Sequence, residues 1–410
     1  MSRVRAQANR AAVEALLAAD PVLVGIESAQ EAMGLPPSTV LTSGPTMPFD
    51  AYTGGQRAAI IGGALYEGLA ADEAAAVAAF ERGEIAVRGC QEFGCVGSLA
   101  GVTTASMPVA VVVNDTTGDR GYCTLYEGDS ADRLNYGTYT AATRANLEAL
   151  RLRIAPALNS LIAAQTEPLR LKPIMARALT MGDELHSRNA AATLLFLRRL
   201  LVGAKQFGDD LEHALDSLCD DYFFLRLSMA ASKVMANAMR GFEGSSVVTA
   251  MSFSCAQFGV QTSGTGDTWF TGPLPTFEDF RIEDGYDADD IEFMGGESII
   301  TEVVGLGGVA QAAGLPLQRS SGRSVVRMVA RTTAMYDITV TESPDFLIPV
   351  LNYRGTPLGL DVEKIVRPTG VTPFLDIGIA GRSGRQIGGG VARAPLEPFR
   401  KAWEALTATA

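Results

Sequence analysis

Only six of the chain's 43 glycines and 19 prolines lie between Thr138 and Arg240, although that stretch is a quarter of its 410 residues. The six are Pro156, Pro168, Pro173, Gly182, Gly203 and Gly208. Residues that end helices and make turns are thus crowded into the two flanks, and the middle is expected to be helical. Leu147, Leu150, Ile154, Leu158 and Leu161 recur at helical spacing. Asp209–Arg240 is a further stretch without glycine or proline, with Leu211, Leu215, Leu218, Phe223 and Leu227 as core positions and Gly241 able to cap its end.

The flanks mix helix and strand. An amphipathic helix is expected before Pro21, a strand at Val22–Gly25, helices at Gly54–Ala70 and Ala71–Arg82, and strands at Met107–Val113 and Tyr122–Tyr126. Beyond the middle, Ser246–Ser252, Gly259–Thr262 and Val325–Arg331 have strand character. Ile299–Gly314 reads as a glycine-containing helix, Pro398–Leu406 as a closing helix, and the acidic run Phe277–Glu292 as a solvated loop. The fold class is therefore α/β in the mixed α+β sense, with two α/β domains (1–137 and 245–410) flanking a small helical domain (138–244).

Composition narrows the function. With 47% hydrophobic and 20% charged residues the chain is globular. Its net charge of −12 disfavours nucleic acid and anionic membranes as partners. The most apolar stretch, Val96–Val113, is interrupted by glycines and Pro108 and reads as a buried strand region rather than a membrane span. There is no signal-peptide pattern at the N-terminus, and the five cysteines form no framework, so a cytoplasmic location is expected. An anionic small substrate would need local arginines or helix N-termini to overcome the overall field.

The richest chemistry lies in Ala178–Thr193, ALTMGDELHSRNAAAT, which sets Asp183, Glu184, His186, Arg188 and Asn189 together before an apolar run. His186 is one of two histidines in the chain; the other, His213, sits in a strongly helical stretch and reads as an ordinary surface or core residue. Thr180 and Asp183 have capping-box spacing, Asp183 and His186 share a helix face, and Glu184 and Arg188 can pair. Either the segment is a helix start that binds an anion while His186 moves a proton, or it is a cap and an ion pair on a solvated face.

Other clusters carry less. Cys90 and Cys95 have no Cys or His pair nearby, so zinc is not expected, and neither has a sequence-adjacent histidine to activate it. The glycines at 89, 94, 97 and 101 could form an anion nest or simply a tight turn into a strand. Gly381–Gly390 places Arg382 and Arg385 beside unhindered backbone, either a second anion site or a surface loop. No Walker or dinucleotide motif is present, and no cofactor is expected.

At ALTMGDELHSRNAAAT the chain resembles the oxamate carbamoyltransferase subunit AllG family. The resemblance continues, in family order, through Gly44-Pro45, Tyr66-Glu67-Gly68, Val96-Gly97, Ser106-Met107-Pro108, Tyr126-Glu127-Gly128, Gly296–Glu302, Gly305–Gly308, Gly355–Asp361 and the glycine-rich turn ending at Gly390. Departures fall on polar positions: Gly89–Cys95 stands where the family has histidines, Ser187 where it has Asn, Glu297 within its GDS, and Ser252-Phe253-Ser254 where it has Arg-Asn-Gly. The resemblance implies a subunit of allantoin catabolism that exchanges a carbamoyl group between oxamate or oxalurate, or a related ureido compound, and phosphate. It also implies companion subunits, one FdrA-like, and a homodimer or larger assembly. In that reaction His186 would polarise the carbonyl or act as general acid, with Asp183 orienting it and Glu184 beside it. Arg188 would hold an anion, and Arg382 and Arg385 a second one. Gly44, Gly97, Glu127, Asn189, Ser298 and Gly389 complete the candidate contacts. Two alternatives remain open: a non-catalytic scaffold of an FdrA-containing complex, and an amide or ureide hydrolase holding Mg²⁺ or Mn²⁺ on Glu127, Glu297 and Glu302.

Overall fold

The computed structural model describes residues 3–202, 212, 215, 218–318, 324–368, 370–382 and 384–408. His213 and Leu211 lie outside them. The protein is of mixed α+β class, as expected. In chain order the elements used below are α1 (Arg3–Ala18), β1 (Pro21–Ser28), α2 (Gly54–Tyr66), α3 (Glu73–Glu81), β2 (Pro108–Asn114), β3 (Arg120–Thr124), α4 (Ala141–Ala149), α5 (Ala155–Ala163), α6 (Leu171–Thr180), α7 (Ala190–Val202) and α8 (Phe223–Asn237). They are followed by β4 (Val248–Phe253), β5 (Phe258–Thr262), β6 (Thr276–Ile282), α9 (Val325–Met335), β7 (Thr339–Ile348), β8 (Arg354–Leu360), β9 (Phe374–Gly381), β10 (Gln386–Arg393) and α10 (Leu396–Ala408).

Two antiparallel sheets position the site. The first runs β3-β2-β1 and ends on the short strand Leu169–Arg170. β2 is buried on both faces: Ala110 and Val112 join the main core, and Val109 and Val111 join a second apolar cluster with Cys90, Cys95 and Tyr122. That explains its unbroken valine run, in which alternate residues serve opposite faces. The second sheet runs β6-β10-β9 and ends on Ile291–Glu292. Against the first sheet stands α8, which packs on β2, β3, β4 and the turn Ile300–Val303. Every residue from Phe223 to Ala236 is buried, the charged Arg226 and Lys233 included. One apolar core runs from Ala12 to Ala402 and takes in residues of all three expected segments.

The helical middle is real, with local surprises. Leu147, Leu150, Ile154, Leu158 and Leu161 are all buried, and the chain passes from α4 to α5 through a π-helical turn at Leu150–Ile154. α8 ends at Asn237, short of Gly241, whose N–H instead donates to the Ser263 carbonyl.

Four sequence expectations are corrected. Val325–Arg331 is part of helix α9, begun by the Ser324 hydroxyl, which accepts from the Arg327 N–H. Its valines suggest a strand, but Met328, Arg331, Thr332 and Met335 bury one helical face. Phe277–Glu292 is not a solvated loop throughout: most of β6 and the strand Ile291–Glu292 lie in it, and Asp279, though acidic, is mostly buried in an ion pair with Arg331. Ile299–Gly314 is a single α-turn followed by 3₁₀ turns, because Gly305 and Gly307 adopt positive φ and break the helix. The glycine-rich turn ending at Gly390 belongs mostly to β10, where a Cβ on Gly388 or Gly390 would collide with the backbone of β6. These glycines admit close strand pairing instead of forming an anion nest.

Candidate functional site

The His186 segment is the connection between two helices, not a helix start at Thr180. α6 ends at Thr180, whose hydroxyl donates back to the Arg177 carbonyl, and α7 begins at Ala190. The turn between them is fixed from several directions. Gly182 and Leu185 adopt positive φ, and Leu185 tolerates it while fully buried. The Glu184 carboxylate gathers the N–H groups of His186, Ser187 and Arg188. The Asn189 amide donates to the His186 carbonyl at 2.8 Å, and Ser228 of α8 donates to the Leu185 carbonyl at 2.9 Å. Such convergence on a strained turn holds a side chain in one place.

That side chain is His186, which is 4% exposed. Its Nδ1 lies 2.9 and 3.1 Å from the two carboxylate oxygens of Glu302. Glu302 is fully buried and also accepts from the Thr301 hydroxyl (2.8 Å) and from the N–H groups of Gly308 and Asp376 (both 2.9 Å). An acceptor surrounded by donors makes Nδ1 the donating nitrogen and leaves proton exchange to Nε2. The glycines after Glu302 serve this arrangement: a Cβ on Gly307 would lie 2.6 Å from a Glu302 oxygen, and one on Gly308 would lie 2.4 Å from the Phe374 carbonyl oxygen.

These contacts correct the expected roles of the neighbouring residues. Asp183 does not orient His186; it pairs with Arg188 and accepts from the Ala192 N–H at 2.8 Å, tying the turn to the first turn of α7. Burial raises its carboxyl above the usual range, opposed by those partners. Glu184 and Arg188 do not form a side-chain pair, because the Glu184 carboxylate is occupied by backbone donors. Both departures follow from the absence of a helix at 183–188, where i,i+3 and i,i+4 spacing has no meaning.

His186 lines a cavity of about 460 Å³ whose wall also includes Glu127, Ser298 and Gly389. Glu127 is a brace there, accepting from the N–H groups of Leu134 (2.7 Å) and Asn135 (3.1 Å). Arg188 and Asn189 line a smaller neighbouring pocket with Pro316 and Leu317. Gly44 and Gly97 lie at neither. Their N–H groups donate to the buried Glu297 carboxylate, at 3.4 and 2.8 Å, so the anion they hold is the protein's own. Burial pushes Glu297 up to about 7, and the Gly97 N–H is the strongest opposing influence. Arg382 and Arg385 are not part of the cavity wall: the Arg382 N–H donates to the Asp290 carbonyl, and Arg385 pairs with Glu283 at 3.4 Å on the surface.

Sequence reasoning did not single out the basic and aromatic residues of this cavity. Arg133, Arg226, Tyr126 and Tyr136 all line it. The legible signal for Arg226 was its place in FFLRLSMAASKVMAN, a helix otherwise apolar around Arg226 and Lys233. Lys233 is fully buried on the same helix, and burial pushes it down to about 7. Among the described residues no group of three His, Cys, Asp or Glu side chains is arranged to hold a metal ion. Glu127, Glu297 and Glu302, the carboxylates considered for that role, each accept from backbone N–H groups. No described helix is long and apolar enough to cross a membrane.

Fold and cavity together describe a mixed α+β protein with a chamber of small-ligand size, lined by apolar and aromatic side chains and a few charged ones. Comparison with known proteins gives that description a family. Residues 85–298 match the family described as oxamate carbamoyltransferase subunit AllG. The chain is 34% identical to the oxamate carbamoyltransferase subunit AllG of Escherichia coli (strain K12), over 98% of this chain and 97% of that protein. It is also 34% identical to the uncharacterized protein YahG of Escherichia coli (strain K12), over 97% of this chain and 85% of that one. A crystal structure of a conserved protein of unknown function from Enterococcus faecalis V583 superimposes with a TM-score of 0.93 at 33% identity, covering 98% and 97% of the two chains. The chain belongs to the AllG family.

Proposed function

We propose that this chain is the subunit that carries out carbamoyl transfer between oxamate, or a related amide, and phosphate, within an assembly that includes an FdrA-like companion and two or more copies of the chain. The observation that carries the proposal is His186, held by a buried Glu302 at the wall of a cavity that also holds Arg133 and Arg226. The names of the AllG relatives supply the reaction class.

In the phosphorolytic direction a phosphate oxygen attacks the carbamoyl carbon of oxalurate. The bond from that carbon to the oxamate nitrogen breaks, giving carbamoyl phosphate and oxamate. The departing nitrogen needs a proton, and His186 Nε2 supplies it while Glu302 stabilises the ring through Nδ1. In reverse, the same nitrogen accepts the proton from the attacking amide. Asp183, Arg188, Glu184 and Asn189 act through the shape of the turn that carries His186 and do not touch substrate. Ser298 and Gly389 lie on the cavity wall, where a substrate can contact them.

The test is formation of carbamoyl phosphate from oxalurate and phosphate by the purified chain, alone and with its companion subunits. Wild-type assembly should turn over and His186→Ala should be inactive while still folded. Full turnover by His186→Ala would rule out His186 as the group that moves the proton, and turnover only in the presence of companions that His186→Ala leaves unchanged would make the chain a scaffold.

A further inference from the structure

Arg226 and Arg133 approach the cavity from α8 and from the loop before Leu134, and they are 5% and 6% exposed. Nε and Nη1 of Arg226, and Nε of Arg133, have no hydrogen-bond acceptor. Both guanidinium carbons lie 5.9 Å from the Tyr126 ring centroid, and that of Arg133 lies 4.3 Å from the Tyr136 ring. A guanidinium cannot escape burial by losing its proton, so two of them beside one cavity are costly without an anion.

The neighbouring carboxylates Glu127, Asp129 and Asp220 act on Arg133 only from a distance, and none accepts a hydrogen bond from either guanidinium. Arg133 donates to the Tyr126 hydroxyl and the Gly128 carbonyl, both neutral, and its nearest carboxylate oxygen, on the well-exposed Asp129, is 4.0 Å away. Glu127 is turned to the Leu134 and Asn135 amides. Behind Arg226 lies Cys123, which burial pushes up to about 12, so it stays a neutral thiol. Burial likewise holds Tyr126 up at about 12 and Tyr136 higher still, as neutral phenols. Glu283 and Asp284 do line the cavity, along with Arg281, but Glu283 is half exposed and pairs with Arg385. The chain as a whole repels anions, which makes this local excess of positive charge the more telling.

We infer that Arg133 and Arg226 form the binding site for an oxyanion of the substrates, a carboxylate or a phosphate, in the His186 cavity. The inference rests on the proposed reaction for the identity of the ligand, and on the two buried guanidiniums for the existence of the site. It gives the anion-holding role to these residues in place of Arg188, Arg382 and Arg385. A charged substrate is then preferred over its neutral isostere, because only the anion compensates the buried charges.

The experiment is isothermal titration of the full chain and of its assembly with companion subunits. The probes are oxamate, inorganic phosphate, and oxamide, the uncharged analogue of oxamate. Oxamate or phosphate should bind wild-type protein while oxamide does not, and competition between the two anions tells which one occupies the site. Arg226→Met and Arg133→Met should each weaken anion binding by about 10- to 100-fold. Each methionine variant removes the charge at its own position and leaves the other guanidinium in place, and Arg226→Lys, which retains a charge there, should bind with intermediate affinity. Circular dichroism melts confirm that each variant is folded. The site is overturned if oxamide binds as well as oxamate, if both methionine variants bind like wild type, or if neither anion binds the wild-type assembly. Anion binding lost in the variants, with no carbamoyl phosphate formed by wild type, keeps the site and removes the proposed reaction. Turnover with an unchanged KM in Arg226→Met and Arg133→Met does the reverse.

Discussion

Replacing Glu302 in two ways separates its structural part from its part in turnover. Its Oε1 accepts from His186 Nδ1, Gly308 N–H and Asp376 N–H, all at 2.9 Å, and its Oε2 accepts from the Thr301 hydroxyl at 2.8 Å. In Glu302→Gln the amide oxygen can take the Oε1 position and keep all three donors. The amide nitrogen can then donate to Thr301, whose hydroxyl still has the Ser298 carbonyl 2.9 Å away as an acceptor. The variant should therefore fold, losing about 1–2 kcal/mol as charge-assisted bonds become neutral ones. It should lose about 2–4 kcal/mol of transition-state stabilisation, roughly a 30- to 1000-fold drop in kcat, because no negative charge faces the protonated ring. Glu302→Ala instead strands three buried donors at about 1–3 kcal/mol each, a large part of the roughly 5–15 kcal/mol that holds a domain together. Urea unfolding and the carbamoyl phosphate assay measure the two effects. A Glu302→Ala protein within about 1 kcal/mol of wild type, or a Glu302→Gln assembly with wild-type kcat, refutes the reasoning.

Other consequences are quicker to check. Gly307→Ala puts a side chain at a φ of +55°, 2.6 Å from a Glu302 oxygen, and should cost about 1–3 kcal/mol in urea unfolding and lower turnover as well. Wild-type stability counts against it. Burial raises Glu297 from 4.5 to about 7, so between those values the native state keeps a proton that the unfolded chain has released. Its contribution is full below about pH 4.5 and is lost as pH rises through about 7. Glu297→Gln should remove that fall, on the order of 3 kcal/mol, from urea midpoints measured between pH 5 and pH 8; parallel curves for the two proteins contradict it. Lys233 is buried and its Nζ has no acceptor, so Lys233→Met should raise Tm at pH 6, where the wild-type lysine is charged, and a lower Tm speaks against that account.

What could be read from the sequence was what depends on local spacing. The glycine and proline distribution located the helical middle, and the valine run located β2. Strand and helix were confused at Val325–Arg331, where three valines outweighed a helical stripe that shows only through Met328 and Met335. His186 was legible as a candidate because histidine is scarce and stands among polar residues. Its partner was not, since Glu302 lies 116 residues away and is brought in by tertiary packing. The same limit misassigned Gly44 and Gly97: an open glycine nest and one filled by the protein's own Glu297 look alike in sequence. Arg133 sits in a segment with no motif, where only burial makes its charge conspicuous, and Arg226 shows in sequence only as a charge within a mostly apolar helix.

The central claim, that His186 moves the proton at the carbamoyl nitrogen, is tested most directly by chemical rescue. The His186→Gly assembly is assayed for carbamoyl phosphate formation from oxalurate and phosphate, with and without added imidazole. The account predicts near-complete loss of turnover and a saturable recovery with imidazole. Turnover that survives the substitution unchanged, without imidazole, contradicts it.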